Sequence, residues 1–121
     1  MVKIRVMYWK EIPIQIQAKD EDTTKNHQLS DKFQTIIDKV AMVDGSYGSD
    51  EYLDGWSYGP EINLNMDIND SIKFISVKFE EFDGDLLQII VEKWKKNIRS
   101  GKPGSINYLF NILFANLIAS L

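Results

Sequence analysis

VKIRVMYWKEIPIQIQAK, residues 2–19, decides the fold class. Val2, Ile4, Val6 and Tyr8 alternate with Lys3, Arg5, Met7 and Trp9. Ile12, Ile14, Ile16 and Ala18 then alternate with Pro13, Gln15, Gln17 and Lys19. A period of two in β-branched and aromatic residues marks a half-buried strand. Only Lys10 and Glu11 separate the runs, so a tight antiparallel hairpin is expected. Neither Asn-Gly nor Asp-Gly occupies the turn, which leaves its type open. Pro13 has no amide hydrogen and belongs at an edge or at an amide site that points outward.

Downstream, KDEDTTKNHQL (19–29) is polar and reads as a loop. Ser30 is placed to cap a first helix, with Asp31 in its first turn. Phe33, Ile36, Ile37 and Val40 follow at helical spacing, and Gly45 is its expected terminator. SYGSDEYLDGWSYGP (46–60) is aromatic and punctuated by glycine. A third strand is expected within 52–66, with Ser49 and Asp50 alternatively capping one short helical turn before it. Asn69 or Asp70 is expected to cap the next element. There Ile72, Ile75, Phe79, Phe82, Leu86 and Ile89 are spaced as a helical stripe. The alternation of Ile75, Val77 and Phe79 leaves strand as the rival over 71–82. Leu87, Ile90, Val91, Trp94 and Ile98 predict a helix over 85–99, with Lys93, Lys95, Lys96 and Arg99 at its C-terminal end. Gly101-Lys102-Pro103-Gly104 is a break, and Ser105 would cap a last, uncharged helix to Leu121.

These elements make an α+β domain: a hairpin and a third strand form a small sheet packed by two to three helices. The domain is expected over 1–100. The apolar helix over 101–121 is expected to pack on it or in an oligomer interface. Over 105–121 that helix would be about 25 Å long, short of a bilayer core of about 30 Å. Asn107, Asn111 and Asn116 are also costly in lipid. A membrane anchor is therefore the lesser reading.

A chain of 121 residues with 44% hydrophobic and 26% charged residues has enough apolar content for one core. It has no cysteine, which excludes disulfides, thiolate metal sites and thiol nucleophiles. A net charge of −4 does not draw in phosphate backbones, so no nucleic-acid partner is expected. The N-terminus alternates instead of forming an apolar run, unlike a signal peptide, and a cytoplasmic protein is expected.

Sites of chemistry are sparse. His27 is the single histidine and lies in a polar stretch, which disfavours zinc and triad schemes. DEDTTKN (20–26) and DINDS (67–71) lack the carboxylate pattern of a calcium loop. Glu80, Glu81, Asp83 and Asp85 read as a solvated helix end rather than a carboxylate pair across a cleft. Gly45, Gly48, Gly55 and Gly59 fit no phosphate-loop spacing and read as turn punctuation. No catalytic residue, metal or cofactor is expected. What stands out is aromatic. Tyr8 shares the apolar hairpin face and belongs to the core, whereas Trp9 stands opposite, as a capped aromatic or a contact residue.

Met7-Tyr8-Trp9-Lys10-Glu11-Ile12-Pro13, the following Gln15-x-Gln17-Ala18, and Tyr52-Leu53-x-Gly55-Trp56 resemble the small bacterial domain family labelled "virulence factor". The resemblance covers about residues 2–82 and leaves the C-terminal tail unplaced. The label implies association with virulence and names no reaction, so no catalytic residue is carried over. Stand-alone members are associated with folate-dependent one-carbon enzymes, which implies a small-molecule alternative.

The main expectation is a non-enzymatic accessory or interaction module with a protein partner or a second copy. Its contacts are expected from Trp9, Lys10, Glu11, Pro13, Gln15, Gln17 and Trp56. The small-molecule alternative puts a pocket between Trp9, Gln15, Gln17 and Trp56.

Overall fold

The computed structural model describes residues 1–112. Strands β1 (Val2–Trp9) and β2 (Ile12–Lys19) form the expected hairpin. Strand β3 (Thr24–Gln28) pairs with β2 from Gln15↔Gln28 to Lys19↔Thr24, within the stretch expected to be loop. Its side chains are all exposed, so it carries no apolar alternation to betray it. Helix α1 (Asp31–Asp44) follows and ends at Gly45, whose φ of 84° needs a residue without a side chain. Ser30 does not cap α1 with its side chain. It bonds instead to the Glu80 carboxylate, through its amide at 3.0 Å and its hydroxyl at 2.7 Å.

The expected third strand resolves into three pieces: a helical turn α2 (Asp50–Asp54), β4 (Trp56–Tyr58) and β5 (Ile62–Leu64). Both strands pair antiparallel with β1, so the sheet runs β3-β2-β1 with β4 and β5 in succession along the other side of β1. Helix α3 (Ile68–Glu80) takes the segment for which strand was the rival. Its cap is Asp67, not Asn69 or Asp70: the Asp67 carboxylate accepts the Asp70 N–H at 2.8 Å. Helix α4 (Leu86–Lys95) is capped by Asp85, which accepts the Gln88 N–H. It stops four residues short of Arg99 because Asn97 turns left-handed at φ 60°. Ile98 N–H then bonds Lys93 O and Asn97 N–H bonds Trp94 O, the pairing of a Schellman stop.

No α-helix starts at Ser105. Asn107–Phe110 forms one 3₁₀ turn, closed by Asn111 at φ 58°. The remainder of the expected helix, 113–121, lies outside the described residues. Ile106, Phe110 and Ile112 are buried in the same core as Ile4, Phe33, Ile37, Ile75, Phe79 and Ile90, and the Phe110 ring meets Phe79 edge-on at 4.9 Å. No helix among the described residues is long and apolar enough to cross a membrane.

The hairpin itself is not regular. Met7 pairs with Gln15 and Tyr8 with Pro13, which leaves Ile14 without a partner on β1. Directly opposed residues share a face. This bulge therefore puts Pro13 on the Tyr8 face and moves Ile12 to the Trp9 face, across from Ile16. Trp9, Ile12 and Pro13 are all buried, so the turn end of the hairpin is covered on both faces.

Candidate functional site

The hairpin turn is held by its backbone and by charge. Lys10 has φ 51°, a left-handed conformation that costs a non-glycine residue about 1 kcal/mol or more. The Lys10 N–H donates to Gly55 O at 2.7 Å, extending the β1–β4 pairing into the turn. Gly55 is required there by proximity rather than by its own φ of −72°. A Cβ at Gly55 would fall 2.5 Å from Trp9 Nε1. Gly59 is alike, with a Cβ falling 2.7 Å from Tyr8 Cε1. Two of the four glycines that read as turn punctuation are thus close-approach positions.

Trp9 is fully buried: its indole donates to Tyr52 O at 2.8 Å and its ring lies 5.6 Å from the Tyr52 ring. Trp56 is half-buried and edge-on to Tyr52 at 6.1 Å.

Beneath the turn lies a knot of five charges. The Arg99 guanidinium donates from Nε and Nη2 to the two Glu11 carboxylate oxygens, both at 2.7 Å, and from Nη1 to Asp44 Oδ2 at 2.8 Å. Lys10 Nζ donates to the same Asp44 oxygen at 2.9 Å and to Glu51 at 3.2 Å. Asp44 Oδ1 accepts the Ser46 hydroxyl at 2.6 Å and the Ser46 N–H at 3.0 Å. The side chains of Glu11, Asp44 and Arg99 are 2%, 5% and 8% exposed. Burial opposes the charge on Asp44, but the bonds from Ser46, Lys10 and Arg99 outweigh it and hold its pKa at about 2. Burial likewise opposes the charge on Arg99, yet Glu11 and Asp44 raise its pKa above the ordinary arginine value. Both oxygens of each buried carboxylate accept hydrogen bonds, so the knot is a fixing device. An open cleft of about 530 Å³ borders it, lined among others by Lys10, Asp44, Gly55, Trp94, Arg99 and Lys102.

Gln15 and Gln17 stand elsewhere. The pairing Arg5↔Gln17↔Asn26 and Tyr58↔Met7↔Gln15↔Gln28 sets these side chains on one sheet face. Arg5 Nε donates to Gln17 Oε1 at 2.7 Å, Gln17 Nε2 donates to Asn26 at 3.2 Å, and the Arg5 guanidinium lies 3.6 Å above the Tyr58 ring. Arg5, Met7, Gln15, Gln17 and Tyr58 are half-buried, and Asn26 and Gln28 are exposed.

A family model described as "Virulence factor" matches residues 7–80. The chain belongs to this virulence factor family. No curated protein and no solved structure matches it. Of the charge knot, the virulence factor match contains Lys10, Glu11, Asp44 and Glu51, while Arg99 lies beyond it.

The seven residues singled out by sequence thus divide. Trp9 and Pro13 are core, Glu11 is a buried ion-pair partner, and Lys10 braces the turn. Gln15 and Gln17 share the open sheet face, and Trp56 packs beside Tyr52. The three main pockets among the described residues are lined by none of Trp9, Gln15, Gln17 and Trp56. Asp44, Tyr58 and Arg99, which the fold places beside them, are not among the seven. Asp44 carried one signal: an acid in the last turn of a helix opposes the macrodipole and asks for a cationic partner.

Proposed function

We propose that the chain is a protein-interaction module that makes its contacts through the open sheet face of Arg5, Met7, Gln15, Gln17 and Tyr58. The observation that supports this reading is their arrangement. They stand in register over β4, β1 and β2, half-exposed, and are tied sideways by the Arg5–Gln17 bond and the Arg5–Tyr58 stack. Side chains already held in place lose little entropy on binding. Arg, Tyr and Met are also enriched in interfaces, where a preformed flat surface suits a folded partner. Residues of the hairpin turn are not part of this face, because they pack in the core and the charge knot.

The test uses a Gln15→Lys/Tyr58→Ala double variant, checked for native folding by circular dichroism. A protein retained by wild-type bait and by a Tyr47→Ala control, but lost with the double variant, supports the reading. Equal retention by all three baits overturns it. A second reading is favoured by the cleft beside Arg99, which has room for a small polar molecule. A thermal-shift screen that includes folates tests it, and a hit must vanish in Trp94→Ala.

A further inference from the structure

Residues 97–104 form a strap, of which Asn97 and Arg99 to Pro103 line the cleft. Among the described residues its backbone hydrogen bonds are local: Asn97 to Trp94, Ile98 to Lys93, Ser105 to Lys102 and Asn107 to Gly104. Left-handed residues at Asn97, Gly101 and Gly104 divide it into short pieces. Among the described residues, the hydrogen bonds that tie it to the body of the domain are those of the Arg99 side chain.

The other half of that contact is held by elements outside the strap. Glu11 is set by the hairpin turn, and Asp44 by the end of α1 and by Ser46. Both lie within residues 7–80, the stretch matched by the family model, and the guanidinium between them comes from outside it. We infer that Glu11 and Asp44 form a guanidinium-binding site, filled in cis by Arg99, which accepts an arginine side chain of a protein partner when the strap swings away.

Chemistry selects the ligand. A planar fork meets Glu11 with two parallel bonds and Asp44 with a third, a geometry that an ammonium point charge does not reproduce. Two buried carboxylates left with too little positive charge are costly, so release is an exchange of one guanidinium for another. The cleft gives access, because Arg99 and Lys10 both line it, and Trp94, 42% exposed, stands on its border to pack against an incoming chain. A tethered group acts at an effective concentration in the millimolar range. A free arginine analogue therefore competes weakly in trans, whereas a partner that adds contacts along the cleft competes well. The site is separate from the open sheet face, and either reading stands without the other.

The experiment titrates N-acetyl-arginine-methylamide into wild type and Arg99→Ala, with N-acetyl-lysine-methylamide as the control. The arginine compound is expected to bind Arg99→Ala roughly tenfold or more tightly than wild type, because the cis competitor is gone. The lysine compound is expected to bind neither, and adding Glu11→Gln is expected to abolish binding. Binding no tighter than to wild type, or equal binding of both compounds, overturns the inference. If Arg99→Ala does not fold, hydrogen exchange of the wild-type chain decides. The arginine compound must accelerate exchange of the strap amides and leave those of β1 and β2 unchanged. No acceleration, or acceleration matched by the lysine compound, overturns it.

Discussion

Glu11 and Arg99, separated by 88 positions, meet through two parallel hydrogen bonds of 2.7 Å. The pair sits inside the protein, so truncating Arg99 strands Glu11 and truncating Glu11 leaves Arg99 with Asp44 alone. Glu11→Ala is expected to cost about 3–5 kcal/mol of stability, and Arg99→Ala a similar amount. Losses in the double variant should fall well short of their sum, since neither charge is then left without its partner. Urea denaturation of the four chains measures this, and simple additivity would show that the two residues do not share one interaction.

Asp44 gives the fold an acid limit. Its pKa is about 2 in the folded chain against an ordinary value of 3.8. The unfolded chain therefore binds more protons between these values, and stability falls as pH falls through the window. The contribution is fully present above about pH 4, lost near pH 2, and worth about 2 kcal/mol. Asp44→Asn should be less stable than wild type at neutral pH and flatter through this window. Urea midpoints taken across it check the sign, and parallel curves would remove Asp44 as the cause.

How much of this was legible in the sequence follows from the range of each force. Both hairpin strands and the apolar stripes of α1, α3 and α4 were legible, because side-chain period is a local property. Thr24–Gln28 was not, since an exposed edge strand is held by backbone bonds to β2 and has no apolar face. The bulge at Ile14 was also hidden: the alternation of Ile12, Ile14 and Ile16 runs unbroken in sequence while the partner pairing skips. Trp9 looked outward by parity, and it is buried because Tyr52 and Gly55, more than forty positions away, close over it. At the candidate site, Lys10 and Glu11 were singled out from sequence as contact residues, and the fold places both in ion pairs. Their partners Asp44 and Arg99 are brought to them only by the tertiary fold.

Gly55 tests the close approach at the turn. Its backbone is at φ −72°, which alanine adopts freely, so any penalty arises from the contact with Trp9. The added methyl must displace the indole that bonds Tyr52 O, and overpacking of this kind costs about 1–3 kcal/mol. Gly55→Ala should also change the near-ultraviolet dichroism of the Trp9–Tyr52 pair. Gly48→Ala is the comparison: open space surrounds that Cβ and only backbone strain at φ 76° opposes it. An unchanged aromatic signal in Gly55→Ala would argue against the tight approach.

Tyr8 gives the fold a base limit. Its hydroxyl donates to Asn107 Oδ1 at 3.0 Å, joining β1 to the C-terminal 3₁₀ turn inside the core. Burial pushes its pKa up to about 12, against a smaller lowering by the Asn107 bond. The unfolded chain releases this proton near pH 10, so stability falls as pH rises from 10 to 12. Tyr8→Phe strands the buried Asn107 amide and should cost about 1–2 kcal/mol at neutral pH. The same variant should lose part of the alkaline decline, because it has no proton to release there. Tyr47→Phe, at a residue 57% exposed, should match wild type in both respects. Urea midpoints at pH 7, 10 and 12 separate the three chains. An alkaline decline as steep in Tyr8→Phe as in wild type would assign it to another group.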